Sequence, residues 1–189
     1  MPLPPQAPVA DIERYRAYLE LMARLQVGRR LRGKIDLSGV VQQTMLEAHL
    51  ARERWSSAGE VQLTAWLRRI LANNLRDEVR KISAAARDVT RERPLEAEMD
   101  ESSSRVEAWL AADQSSPSEH VMRQEQLLAL AHALAQLPDD QRQAIELHHL
   151  QGCPLAEVAQ ALERNKGAVA ALLYRGLKKL RGLLAAAVE

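Results

Sequence analysis

The sequence predicts an all-α protein of two small helical domains joined by a flexible acidic linker, and three observations predict it. Apolar residues recur at three- and four-residue intervals through most of the chain outside positions 1–10 and 83–118. Charge is divided unevenly: 14 basic against 9 acidic residues up to Ile82, 4 against 9 from Ser83 to Glu119, and 8 against 7 thereafter. The middle block carries Arg91-Glu92-Arg93-Pro94, the acidic run Glu96–Glu101, the triple serine Ser102–Ser104 and Ser115-Ser116-Pro117-Ser118. Such a stretch is too long for a connection inside one compact domain. With 189 residues and 47% apolar content the chain has enough material for a core on each side.

In chain order, residues 1–10 read as a disordered proline-rich tail. The first domain, 11–82, opens with Ile12, Tyr15, Leu19, Met22 and Leu25, which stripe one face of a helix from Asp11 to Val27. A basic connector follows at Gly28–Lys34, suited either to phosphate contact or to plain solvation. Asp36 is placed to cap a second helix that buries Leu37, Val40, Val41, Thr44, Met45 and Ala48 and leaves Gln42, Gln43 and Glu47 outside. Trp55, Ser56, Ser57, Ala58 and Gly59 signal a loop. The third helix, Val61–Ile82, has a broad apolar face of Leu63, Trp66, Leu67, Ile70, Leu71, Leu75, Val79 and Ile82. Arg69, Asn73, Arg76 and Arg80, at offsets of four, three and four, share one polar stripe. Guanidinium groups neutralise phosphates and stack on unpaired bases, and an amide can read a base edge. A solvated charged face partly paired with Asp77 fits the same spacing.

The linker, 83–118, holds one short helical pattern at Arg105–Ala112. The second domain, 119–189, starts with a helix capped by Ser118 that packs Val121, Leu127, Leu128, Leu130, Ala131 and Leu134. Leu137-Pro138-Asp139-Asp140 suits the start of the next helix, which Gly152 stops. Pro154 opens a shorter one bearing Leu155, Val158, Ala159 and Leu162. After Glu163-Arg164, Asn165 is placed to cap a long last helix packed through Val169, Leu173, Leu177, Leu180 and Leu184. Lys166, Ala170, Tyr174, Arg175, Lys178 and Arg181 fall on its other faces. Short helix, tight turn and longer helix with a basic outer surface is the helix-turn-helix pattern, whose second helix can lie in a DNA major groove. A helical hairpin with a solvated basic face has the same periodicity.

The wording of these segments resembles the bacterial sigma factors. Leu-Pro-x-x-x-Arg-x-Ala-x-x-Leu at Leu137–Leu147, Leu-Ala-Glu-Val-Ala at Leu155–Ala159 and Gly-x-Val-x-x-x-Leu-x-Arg-Gly-Leu-Lys-Lys-Leu at Gly167–Leu180 look like region 4. Ala-Trp-Leu-Arg-Arg-Ile-Leu-Ala-Asn-Asn-Leu-Arg-Asp-Glu-Val-Arg at Ala65–Arg80 resembles the promoter-melting helix of region 2, with Trp66, Asn73, Asp77 and Arg80 at its signature positions. Two domains and a linker with no other regions resemble the extracytoplasmic-function (ECF) group. The resemblance implies a sigma factor that binds core RNA polymerase, at the largest-subunit clamp and the flap, and directs promoter-specific initiation. It implies polymerase contact through Asp36, Gln42, Gln43 and Glu47. It implies capture of the melted downstream promoter element through Trp55, Ser57, Arg69, Asn73, Arg76 and Arg80, with a base flipped into the Trp55–Thr64 loop. Reading of the duplex upstream element falls to Lys166, Ala170, Ala171, Tyr174 and Arg175, with Arg164, Lys178 and Lys179 nearer the phosphates. The linker would thread the polymerase cleft.

The sequence departs from the family pattern at several of these positions. Gln43 stands where a carboxylate is usual and Gly39 where an acidic residue is common. Ala168, Ala170, Ala171 and Leu172 stand where relatives carry hydrogen-bonding side chains. Alanines touch thymine methyls but donate nothing, so weak, shape-dependent upstream reading is expected. A stand-alone helix-turn-helix regulator and a sigma-like decoy that binds polymerase or an anti-sigma protein without initiating are the competing readings. An anti-sigma protein or a kinase acting on the serine-rich linker is a candidate regulator.

No enzyme is expected: P-loop, dinucleotide fingerprint, His-Glu-x-x-His and nucleophile elbow are all missing. No cofactor or metal is expected either, because adjacent His148 and His149 point about 100° apart on a helix. The single Cys153 cannot form an internal disulfide, and no apolar run approaches the ~20 residues that cross a bilayer. The expected location is the cytoplasm, without membrane attachment.

Overall fold

The computed structural model describes residues 12–27, 33–51, 60–86 and 120–187. Every regular element among them is helical. The chain divides into two compact units, Met1–Met99 and Asp100–Glu189. The proline-rich tail, most of the basic connector, Trp55 to Gly59, Ser118, the Arg105–Ala112 pattern and nearly all of the predicted linker lie outside the described residues.

In the first unit a 3-10 turn at Ile12–Tyr15 leads into α1 (Arg16–Gln26), followed by α2 (Leu37–Leu50) and α3 (Glu60–Ala86). The three helices pack on one another around Tyr15, Tyr18, Leu19, Leu21, Met22, Leu63, Leu67, Leu71 and Leu75. The apolar surface of α1 is wider than the predicted stripe, because α2 and α3 both lie against it and bury Ala17, Tyr18, Leu21 and Ala23 as well. α3 continues four residues past the expected end at Ile82. Ser-Ala-Ala-Ala at 83–86 is the cause, since alanine has the strongest helix preference and the change in charge begins only after it.

Two polar contacts stitch this core. The Thr44 hydroxyl donates to the Val40 carbonyl at 2.9 Å and accepts from the Asn74 amide at 3.1 Å, which ties α3 to α2. Arg68 donates to the Tyr18 hydroxyl at 3.2 Å, which ties α3 to α1.

The second unit holds α4 (His120–Ala135), α5 (Asp139–Ile145), α6 (Leu155–Ala161) and α7 (Lys166–Ala186). α5 widens into one π turn at Glu146–Leu150, and Gly152, at φ 71°, ends it. Leu127, Leu130, Leu134, Ala144, Ile145, Val158, Val169 and Leu180 form the core. The backbones of α5 and α7 approach closely at Gly176, where a Cβ would sit 2.9 Å from Ile145 Cδ1 and 3.2 Å from Gln141 Cβ.

The His148 and His149 rings meet edge to face at 4.9 Å, and His148 Nδ1 lies 2.8 Å from the Cys153 carbonyl. Burial, then the neighbouring His148, holds the His149 pKa below its ordinary 6.5. The unfolded chain therefore binds more protons than the folded one as pH falls through that value. The second unit is expected to be less stable at pH 5.5 than at 7.5, and His149→Gln to flatten the difference in thermal melts. An unchanged slope would remove His149 as its source.

Candidate nucleic-acid and polymerase interface

α2 begins at Asp36, whose carboxylate accepts from the Gly39 amide at 3.0 Å as an N-cap. A Cβ on Gly39 would lie 2.6 Å from that carboxylate, so glycine here lets the cap fold tightly over the helix start. Beyond it Gln42 and Gln43 are exposed, Glu47 is half-buried, and the Gln43 amide donates to Glu47 at 2.8 Å. Leu46, 52% exposed, and Leu50, 75% exposed, extend the face. Sequence reasoning missed both leucines, although Gln42, Leu46 and Leu50 follow one another at the four-residue spacing of a single helix face.

Asp36 is thus committed to holding the helix end. Asp36→Ala is expected to cost ~1 kcal/mol in denaturant unfolding and Asp36→Asn far less. Equal polymerase affinity for wild type and Asn, with a loss for Ala, would assign Asp36 to the cap rather than to direct contact.

The stripe on α3 forms as its spacing predicts. Arg69, Asn73 and Arg80 are exposed, and Arg76 is half-buried with its Nη1 donating to Asn73 Oδ1 at 2.9 Å. From Arg69 to Arg80 the helix rises about 16 Å, room for several nucleotides of an opened strand. Asp77 is exposed, and the Glu beside it, Glu78, accepts from Lys81 at 2.6 Å. Trp55 and Ser57, expected to complete this surface, lie outside the described residues.

In the second unit α6 ends in a Schellman motif: Arg164 N–H donates to the Ala159 carbonyl at 2.9 Å and Glu163 N–H to Gln160 at 3.4 Å. Glu163 takes the left-handed conformation, φ 53°, that this motif usually assigns to glycine. Asn165 then caps α7 by accepting from the Ala168 amide at 2.7 Å. Short helix, four-residue turn and long helix form the predicted helix-turn-helix.

Lys166, Ala170, Tyr174, Arg175, Lys178 and Lys179 are exposed on α7, Tyr174 at 71%, and Ala171 is half-buried. Leu172, grouped above with the departing positions at the helix start, is a core residue. Helices packed on α7 from more than one side give it an apolar arc broad enough to include both Leu172 and Leu173. Two of the cations expected near phosphates have protein partners: Arg164 pairs with Asp140 at 2.8 Å, and Lys179 donates to the Gln136 carbonyl past the end of α4 at 3.1 Å. A phosphate would have to share or displace these contacts.

The second unit thus presents a helix-turn-helix with an exposed basic second helix, and the first presents a stripe of arginines around an amide. Residues 14–85 match the Sigma-70 region 2 family and residues 127–180 match Sigma-70, region 4. The chain is 32% identical over 174 residues to the ECF RNA polymerase sigma factor SigF of Caulobacter vibrioides, covering 90% of this chain and 85% of that one. It is 35% identical over 69 residues to the ECF RNA polymerase sigma factor BldN of Streptomyces coelicolor, covering 36% of this chain and 26% of that protein. A solved complex of the sigma factor RpoE with the anti-sigma factor NepR from Bartonella quintana aligns over 92% of this chain and 94% of that one at 19% identity, with a TM-score of 0.34. The chain belongs to the ECF RNA polymerase sigma factors. As a sigma factor it binds core RNA polymerase and promoter DNA and directs transcription initiation.

Among the described residues no helix is long and apolar enough to cross a membrane, and no group of three or more His, Cys, Asp or Glu is placed to hold a metal ion.

Proposed function

We propose a division of labour between the two units. The first docks on the polymerase clamp through Gln42, Gln43 and Glu47, with Leu46 and Leu50 as the apolar centre of the contact, and holds the melted downstream element along Arg69, Asn73, Arg76 and Arg80. The second engages the flap and reads the upstream duplex with α7. Lys166, Tyr174 and Arg175 face the groove, and Arg164, Lys178 and Lys179 lie toward the backbone. The protein does this without catalytic chemistry of its own, in the cytoplasm. The observation that carries this reading is the exposed alignment of Arg69, Asn73 and Arg80 on α3, in the same unit as the polar and leucine-bearing face of α2.

Ala170 and Ala171 offer no hydrogen bond to a base, so upstream reading is weak and leans on shape. Ala170→Arg is expected to change the preferred upstream sequence in promoter selections. Unchanged preference and affinity would count against weak upstream reading.

Run-off transcription from a promoter library, with core polymerase in the presence and absence of the protein, tests the whole. New starts sharing two spaced motifs support it. Stable polymerase binding without starts favours a decoy, and DNA binding without polymerase binding favours a stand-alone regulator.

A further inference from the structure

Arginine carries only donors, so a side-chain amide hydrogen-bonded to it must turn its oxygen toward the guanidinium. Arg76 Nη1 donates to Asn73 Oδ1 at 2.9 Å, one helical turn along α3. The amide nitrogen of Asn73 is then the outward pole, and Asn73 is exposed. Turning the amide over would set its N–H groups against the guanidinium, exchanging a charge-assisted hydrogen bond for two opposed donors. The exposed amide is therefore held in one of its two orientations by its neighbour.

We propose that Arg76 is a positioning residue that makes Asn73 a donor-only reader, so that the base it meets is chosen for the oxygen at thymine C4 or guanine C6 over the amine that adenine or cytosine carries at the equivalent position. This rests on the reading above that the α3 stripe meets the downstream element. An unfixed amide offers either pole and separates keto from amino bases poorly. A fixed one forms its bond with one class and opposes the other. One net hydrogen bond corresponds to roughly five-fold discrimination. Arg76 therefore affects which base is accepted as well as how tightly DNA is held, a consequence that a phosphate-neutralising arginine would not have.

The test is run-off transcription with polymerase carrying the full-length protein, from templates randomised one downstream position at a time. Asn73→Ala identifies the position by flattening its preference. There the wild type is expected to favour thymine or guanine roughly five-fold. Arg76→Lys, again donor-only, is expected to keep that preference at reduced yield. Arg76→Glu offers an acceptor, draws the amide nitrogen inward and is expected to reverse the ratio toward adenine or cytosine, at a yield lowered by the added negative charge. A wild-type preference for adenine or cytosine, or an Arg76→Glu protein that keeps the keto preference, overturns the proposal while leaving the α3 reading intact. If Asn73→Ala flattens no position, the α3 reading itself falls and takes this inference with it.

Discussion

Reversing the charges of Arg69 and Arg80 together is expected to lower open-promoter formation by about 100-fold, while affinity for core polymerase stays within about two-fold. Both side chains are exposed on α3, so neither substitution disturbs the Leu63, Leu67, Leu71 and Leu75 face that holds the unit together. Each Arg→Glu change moves two charge units against the DNA backbone. At ~1 kcal/mol per charge contact in a water-like dielectric, reduced by salt screening, the pair amounts to ~3 kcal/mol. Permanganate footprinting of the opened strand measures the loss, and fluorescence anisotropy of the polymerase complex measures what is retained. The defect should also change with ionic strength, because the contacts release counterions. A double variant that opens promoters normally would show that the stripe is a solvated face.

Gly176→Val is expected to destabilise the second unit by ~2 to 3 kcal/mol, the cost of forcing a branched side chain into a packed helix contact. The modest gain in helix preference over glycine does not offset it. In a unit of this size the loss would lower the melting temperature by about 10–20 °C. Gly176→Ala separates the two effects. Its Cβ meets the movable tip of Ile145 at 2.9 Å and the root of Gln141 at 3.2 Å, while the helix gains ~1 kcal/mol of backbone preference, so it should fall near wild type. Melting followed by circular dichroism decides the matter. A valine variant that melts with the wild type would mean that α5 and α7 can separate there at little cost.

The features legible in the sequence are those set by neighbours within a turn or two. Asp36 and Asn165 stand three residues before the amides they accept from, and that spacing alone marks both helix starts. The Arg69–Arg80 stripe follows from helical geometry in the same way. The pairing of Arg164 with Asp140 joins residues 24 apart in sequence, and that of Lys179 with Gln136 joins residues 43 apart, so only the folded chain brings them together. Leu172 illustrates a second limit. A helix contacted from one side has a narrow apolar stripe such as Val169, Leu173, Leu177, Leu180 and Leu184 define, whereas α7 meets more than one neighbour and buries Leu172 as well. Glu146 shows a third. It is a carboxylate fully buried 3.7 Å from Arg142, a placement that the sequence pattern does not mark. The departures at Gly39 and Ala170 were visible as residues, but only the structure supplies a reason for the first, the tight approach of the Asp36 carboxylate.

Glu163 has a consequence for how this protein can change over generations. It occupies a left-handed backbone site without being glycine, and it sets an anionic group in the turn that leads into α7, the helix proposed to read the upstream duplex. Glycine there would relieve on the order of 1 kcal/mol of backbone strain and remove a repulsion from phosphate at the same time. A single substitution thus opens a path along which stability and DNA affinity rise together, and the extra stability could absorb a later, destabilising change on the alanine-rich face of α7. The helix-turn-helix keeps in reserve the margin that a new promoter preference would require.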